Sequence, residues 1–203
     1  MMPSLDIHQI WLFLKKWGLS VILVFFSWLI IKQFWWALKF NIFFAVNYDH
    51  VAGFNAIYFL MDNLTLIIHE AGHTILGIFG WRLLTILGGT LFQILLPLLV
   101  FIFGWLNRKT ITTQLALFWL GFSWLDTSAY CADASLRQLP LVGNLPKSAH
   151  DFFNILNSLN LLEHYRAIAW SLYAFGVLIL ITAILWPLLT PKETEYTHLD
   201  LGL

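Results

Sequence analysis

Leu83 to Leu106 reads LLTILGGTLFQILLPLLVFIFGWL, a run without a single charged residue. As a helix rising about 1.5 Å per residue it is long enough to cross the roughly 30 Å hydrocarbon core of a bilayer. Inside lipid the backbone must satisfy its own hydrogen bonds, which leaves only helices and closed barrels. The run is far longer than the alternating strands of about ten residues that a barrel uses. The rest of the chain agrees, since 60% of its 203 residues are hydrophobic and only 11% are charged. Soluble domains carry roughly 25% charged residues. The expected fold is therefore all-α, a polytopic membrane helical bundle of about five transmembrane helices plus a short amphipathic helix. One membrane-embedded domain is expected over 1–190, followed by a polar tail over 191–203.

Working outward, four more apolar stretches read as spans: Trp17 to Leu38, Phe54 to Trp81, Ile111 to about Ala134, and Ala167 to Leu189. Between the last two, Ser135 to Arg166 is too long for a simple turn and too apolar for a free linker. Phe152, Phe153, Leu156, Leu159 and Leu162 recur there at helical spacing, which predicts a short amphipathic helix on the membrane surface or over the bundle. Lys15, Lys16, Arg82, Arg137, Lys147 and Arg166 fall on one side of such a topology, and Lys39, Arg108, Lys109 and Lys192 on the other. The excess of basic residues places the N-terminus in the cytoplasm, with the first span an uncleaved signal anchor. Lys plus Arg and Asp plus Glu number 11 each, which excludes a basic nucleic-acid surface. A lone Cys131 excludes a disulfide framework. Tryptophans at span ends read as an interfacial belt, and His8, His50, His164 and His198 as surface residues.

The span over Phe54 to Trp81 carries the chemistry. It holds Asp62 and the pentapeptide His69-Glu70-Ala71-Gly72-His73, an H-E-x-x-H pattern. Residues four apart share a helix face, so the two imidazoles can meet one metal while the glutamate beside them reaches its water. Zinc would act as a Lewis acid and Glu70 as general base. Composition alone predicts roughly 0.005 occurrences of the pattern in a chain like this. Charged groups in mid-span cost about 2.5–3.5 kcal/mol, so they face a partner or a cavity. Gly72 is expected to leave room for a substrate backbone.

A catalytic zinc needs a third protein ligand. Ser123, Asp126, Tyr130 and Asp133 line one face of the fourth span. His73 lies about 13 Å before Arg82 and Asp126 about 16 Å before Arg137, at about 1.5 Å per residue. This match in depth makes Asp126 the expected third ligand. His150, from the connecting segment, is the next candidate, with Asp133 and Asp151 behind it. Tyr130 reads as packing or as a donor to a substrate oxyanion. Asp151 reads as the carboxylate orienting His150 or as a helix N-cap. Gly88-Gly89-Thr90 reads as a close helix contact or as space for a substrate strand, Gln93 as packing, and Pro97 as a kink.

With H-E-x-x-H inside a hydrophobic helix and an intramembrane aspartate on a later span, the chain resembles the site-2 protease class of intramembrane zinc metallopeptidases. The resemblance implies His69 and His73 as zinc ligands, Glu70 as base, and Asp126, within Ser123-Trp124-Leu125-Asp126, as the aspartate ligand. Leu125-Asp126 is followed here by Thr127, where that class carries Leu-Asp-Gly. The stretch from Asp62 to Leu162 also resembles a group of bacterial membrane proteins carrying His-Glu-Ala-Gly-His, which implies a bacterial inner membrane and no particular activity. The expected function is a zinc-dependent, membrane-embedded endopeptidase acting on membrane protein or peptide substrates. Two other readings stay open: a non-catalytic assembly or binding subunit with a structural metal site, and a small proton- or ion-conducting protein. Five spans without a visible inverted repeat count against the last.

Overall fold

The structure, a computed structural model, describes residues 7–42 and 54–189. The expected tail over 191–203, with Lys192 and His198, lies outside the described residues, as does His50. The described residues are helical and contain no strand. Six α-helices follow in order: α1 (Ile7–Phe40), α2 (Phe54–Gly77), α3 (Arg82–Leu106), α4 (Thr110–Ala132), α5 (Asp151–Ser158) and α6 (Tyr165–Leu189). Single 3-10 turns at Val142–Asn144, Lys147–Ala149 and Leu162–His164 punctuate the connection around α5.

Three helical stretches are long and apolar enough to cross a membrane: Ile10–Phe40, Arg82–Leu106 and Leu162–Leu189. The other two long helices, α2 and α4, are the ones whose faces carry Asp62, His69, Glu70 and His73, and Gln114, Ser123 and Asp126. α1 begins well before Trp17, so Lys15 and Lys16 lie inside it. α2 ends earlier than the apolar run suggests, because the run continues through a turn. Gly80 adopts φ +68, a conformation that a side chain disfavours, and α3 starts two residues later.

α4 is the centre of the bundle and is buried along most of its length. It packs against α6, α3 and α1, while α2 packs on α3. The main core joins Ile30 and Phe34 of α1, Tyr58 of α2, Phe122 and Leu125 of α4, and Leu180 of α6. Phe34, Tyr58 and Phe122 form an aromatic triad with centroids 5.6–6.3 Å apart. A second cluster fixes α5: Phe152 and Leu156 enter a pocket made by Leu38, Cys131, Ala132, Ala134 and Ala169. The amphipathic helix expected over 151–162 is thus shorter than its pattern. Phe152, Ile155 and Leu156 are buried, but Leu159 lies past the helix end and is exposed. Docking one face of α5 leaves its first residue, Asp151, turned toward the junction of α2, α3 and α4.

Candidate metal centre

His69 and His73 are one turn apart on α2, and their rings lie 4.8 Å apart between centroids. Two glycines of α3 let them occupy this position. A Cβ on Gly72 would run into the Gly88 carbonyl, so α2 and α3 touch backbone to backbone there. A Cβ on Gly89 would sit 2.6 Å from His73 Nε2 and 2.6 Å from His69 Cδ2, so the space beside Gly89 belongs to the imidazoles. Gly72 therefore does not open room for a substrate strand; α3 fills that room.

Each imidazole turns Nδ1 toward an oxygen. His73 Nδ1 donates to the Thr85 carbonyl at 2.8 Å, and His69 Nδ1 meets Gln93 Oε1 at 2.9 Å. A carbonyl oxygen only accepts, so both Nδ1 atoms carry hydrogen, and each Nε2 keeps a lone pair whenever its ring is neutral. The two Nε2 atoms converge on one oxygen, with His69 Nε2 3.2 Å and His73 Nε2 3.1 Å from Asp151 Oδ2. His69, His73 and Asp151 form a group whose ligand atoms lie within 4.8 Å of one another and which can hold a metal ion. Tyr130 holds the carboxylate from both ends of its residue. Its hydroxyl donates to Asp151 Oδ2 at 3.1 Å and accepts from the Asp151 backbone N–H at 3.2 Å.

The centre calls for positive charge. Burial by itself raises the pKa of Asp151, but hydrogen bonds from His69 and His73 and their positive charge when protonated outweigh it, holding the carboxyl near about 2. Protons on the two Nε2 atoms satisfy the oxygen in one way. A divalent cation bound by all three atoms does so in another, with both imidazoles neutral.

The carboxylate that joins the histidines is thus Asp151, and Asp126 sits elsewhere. Its Oδ2 accepts from Gln93 Nε2 at 2.7 Å, which separates it from the ring of His69 by one amide. Depth along a helix axis matched Asp126 to His73 but said nothing of the glutamine of α3 standing between Asp126 and His69. His150 is fully buried and does not join the group. It caps α5, its Nδ1 accepting from Phe153 N–H at 3.3 Å, while Nε2 lies 3.3 Å from Asp133 Oδ2. The N-cap is therefore His150 and not Asp151. Asp133, also fully buried, accepts the backbone N–H groups of Gln138 and Leu139 at 2.7 and 2.9 Å and so folds the connection back on the end of α4. The ring of Tyr130 lies 4.3 Å from that of His150, between centroids. Its hydroxyl is committed to Asp151, which makes it a support of the site. Glu70 is half-buried on the same turn as His69.

Sequence reasoning missed Gln93 and Gly89 as parts of the centre. A signal for the first was present: a glutamine in a charge-free span has to find partners. An open cleft of about 420 Å³ lies between the start of α3 and the connection into α5, lined by Arg82, Thr85 and Ile86 together with Ser148, Ala149 and Asn154. Thr85 supplies the carbonyl that orients His73, and Asn154 lies one turn after Asp151 and accepts from Arg82 Nη2 at 3.3 Å. No protein-family model, curated protein or solved structure matches the chain.

Proposed function

We propose that the protein is a zinc-dependent, membrane-embedded peptidase that hydrolyses a peptide bond of a membrane protein or membrane-bound peptide. One observation carries the reading: three potential ligand atoms, His69 Nε2, His73 Nε2 and Asp151 Oδ2, converge, and the Nδ1 partners of both rings leave Nε2 available to a cation when the rings are neutral. Two imidazoles and a carboxylate suit zinc, and three protein ligands leave a fourth tetrahedral position for water or substrate. Structural zinc sites close that position with a fourth residue, so the ligand count favours catalysis over a purely structural metal. When bound, zinc supplies Lewis-acid chemistry, polarising the scissile carbonyl and activating the attacking water.

Under this reading α2 and α4 also lie within the bilayer, giving five spans with a cytoplasmic N-terminus. Of the polar residues on these two helices, His69 and His73 belong to the centre, and Asp126 reaches it through Gln93. Glu70 takes the proton of the attacking water and returns it to the leaving amine. Tyr130 keeps Asp151 in place through both hydrogen bonds. An extended segment enters by the cleft at the start of α3 once the Arg82–Asn154 hydrogen bond opens, and a helical substrate has to unwind locally before its carbonyl reaches the centre. Purified protein should hold stoichiometric zinc. Glu70→Gln should keep that zinc while lowering cleavage of a membrane-protein substrate by about 100-fold or more. Zinc-free wild-type protein, or a Glu70→Gln variant as active as the wild type, defeats the proposal.

A further inference from the structure

A primary amide is asymmetric: one end only donates and the other only accepts. The amide of Gln93, 3% exposed, stands between two groups that decide which end points where. On one side its Nε2 has two acceptors, the Ser123 backbone carbonyl at 3.2 Å and Asp126 Oδ2 at 2.7 Å. On the other side is His69 Nδ1, 2.9 Å from Oε1. Turning the amide over would set Oε1 against two oxygens and aim NH2 at the imidazole. His69 would then have to accept at Nδ1 and carry its hydrogen on Nε2, the nitrogen that faces His73 and Asp151.

We propose that Gln93 and Asp126 are positioning residues whose hydrogen-bond chain fixes the tautomer of His69, so that Nε2 keeps its lone pair for a cation held with His73 and Asp151. The inference deepens the metal-centre reading and rests on it for the cation alone. Asp126 acts through Gln93 and never touches the metal. His73 needs no such device, because its Nδ1 partner is a backbone carbonyl that cannot turn over. The neutral imidazole on its own has both tautomers available, so the hydrogen-bonding partner decides between them.

The test reads the tautomer directly by 15N NMR of histidine-labelled, metal-free full-length protein in detergent at mildly alkaline pH, with His69 assigned by comparison with His69→Gln. Wild-type protein should show His69 as the Nδ1–H form. Gln93→Leu should move it toward Nε2–H and weaken zinc binding by about 10–100-fold, the usual effect of losing a partner behind a ligating histidine. Asp126→Leu should move both readouts the same way. Asp126→Asn, which keeps an acceptor oxygen for Gln93 Nε2, should restore the wild-type tautomer and zinc affinity to within a few-fold. A wild-type His69 in the Nε2–H form overturns the proposal, and that measurement needs no variant to fold. So does a folded Gln93→Leu protein with unchanged tautomer and affinity, or an Asp126→Asn protein as impaired as Asp126→Leu. Failure of the wild type to bind zinc defeats the peptidase reading alone, since the tautomer is read without metal.

Discussion

Among the described residues two glutamines of the apolar helices are almost fully buried, Gln93 on α3 and Gln114 on α4. Gln114 Nε2 donates to Ser20 Oγ at 2.9 Å and to the Ala183 carbonyl at 3.0 Å, tying α4 to α1 and α6. Gln93 Nε2 also donates to two oxygens, one of them a backbone carbonyl, and likewise ties α3 to α4. The first chain is made of neutral groups and links three helices. The second continues through Oε1 to His69 and ends on the group of His69, His73 and Asp151. In a membrane bundle an interior amide is by itself only a fastener between helices. What separates fastener from function is the far end of its hydrogen-bond chain.

The sharpest way to break this comparison is to remove an acceptor from the open end. Asp151→Ala takes away one of the three proposed zinc ligands, and the expected loss of zinc affinity exceeds the 10–100-fold typical of residues behind the ligands. Competition against a chelator of known affinity measures it. The same titration ranks the two aspartates: Asp151→Ala should lose more than Asp126→Leu. The reverse order would return Asp126 to the ligand set and make Asp151 the supporting residue.

Gly89→Ala comes next. Its new methyl would stand 2.6 Å from His73 Nε2 and from His69 Cδ2, so both rings must shift. Overpacking of this kind costs about 1–3 kcal/mol, here at the cost of imidazole placement. Zinc affinity should fall by about 10–100-fold, a change comparable with losing an outer partner. Zinc binding at wild-type strength in a folded Gly89→Ala protein would mean that the two rings are not held against α3.

How much of this was legible in the sequence follows from what a linear pattern encodes. The charge-free run Leu83–Leu106 and the apolar stretch that became α6 gave helices directly, because length and hydropathy are properties of one segment. His69, Glu70 and His73 were readable for the same reason, since i and i+4 on one helix fix their shared face. The carboxylate that joins the two histidines was not. Asp151 comes from a connection of about thirty residues, and its approach depends on Phe152 and Leu156 docking into a pocket drawn from α1, α4 and α6. Depth along separate helices matched Asp126 to His73 but carried no information on azimuth, and Gln93 fills the gap between Asp126 and His69. The close contact of Gly72 with Gly88 was equally out of reach, as it depends on how two helices cross. Even so, the H-D pair at His150-Asp151 marked the right segment: one residue caps and anchors α5, and the next delivers the carboxylate.

The smallest expected effect tests the closed end. Gln114→Leu removes two hydrogen bonds that hold α1, α4 and α6 together. Interhelical bonds of this kind average about 0.6 kcal/mol in membrane proteins and reach about 1.7, so metal-free stability should drop by about 1 kcal/mol. Zinc supplied at 100 times its Kd should still add about 2.7 kcal/mol, as it does for any protein that binds only when folded. Wild type and Gln114→Leu should therefore unfold at different denaturant concentrations yet gain equally from zinc. Gln93→Leu should lose most of the zinc increment at that same zinc concentration, because its Kd has risen. If the two leucine variants instead lost the increment alike, the bundle would respond to any broken interior amide. The distinction between a chain that fastens helices and one that sets a tautomer would then fall with it.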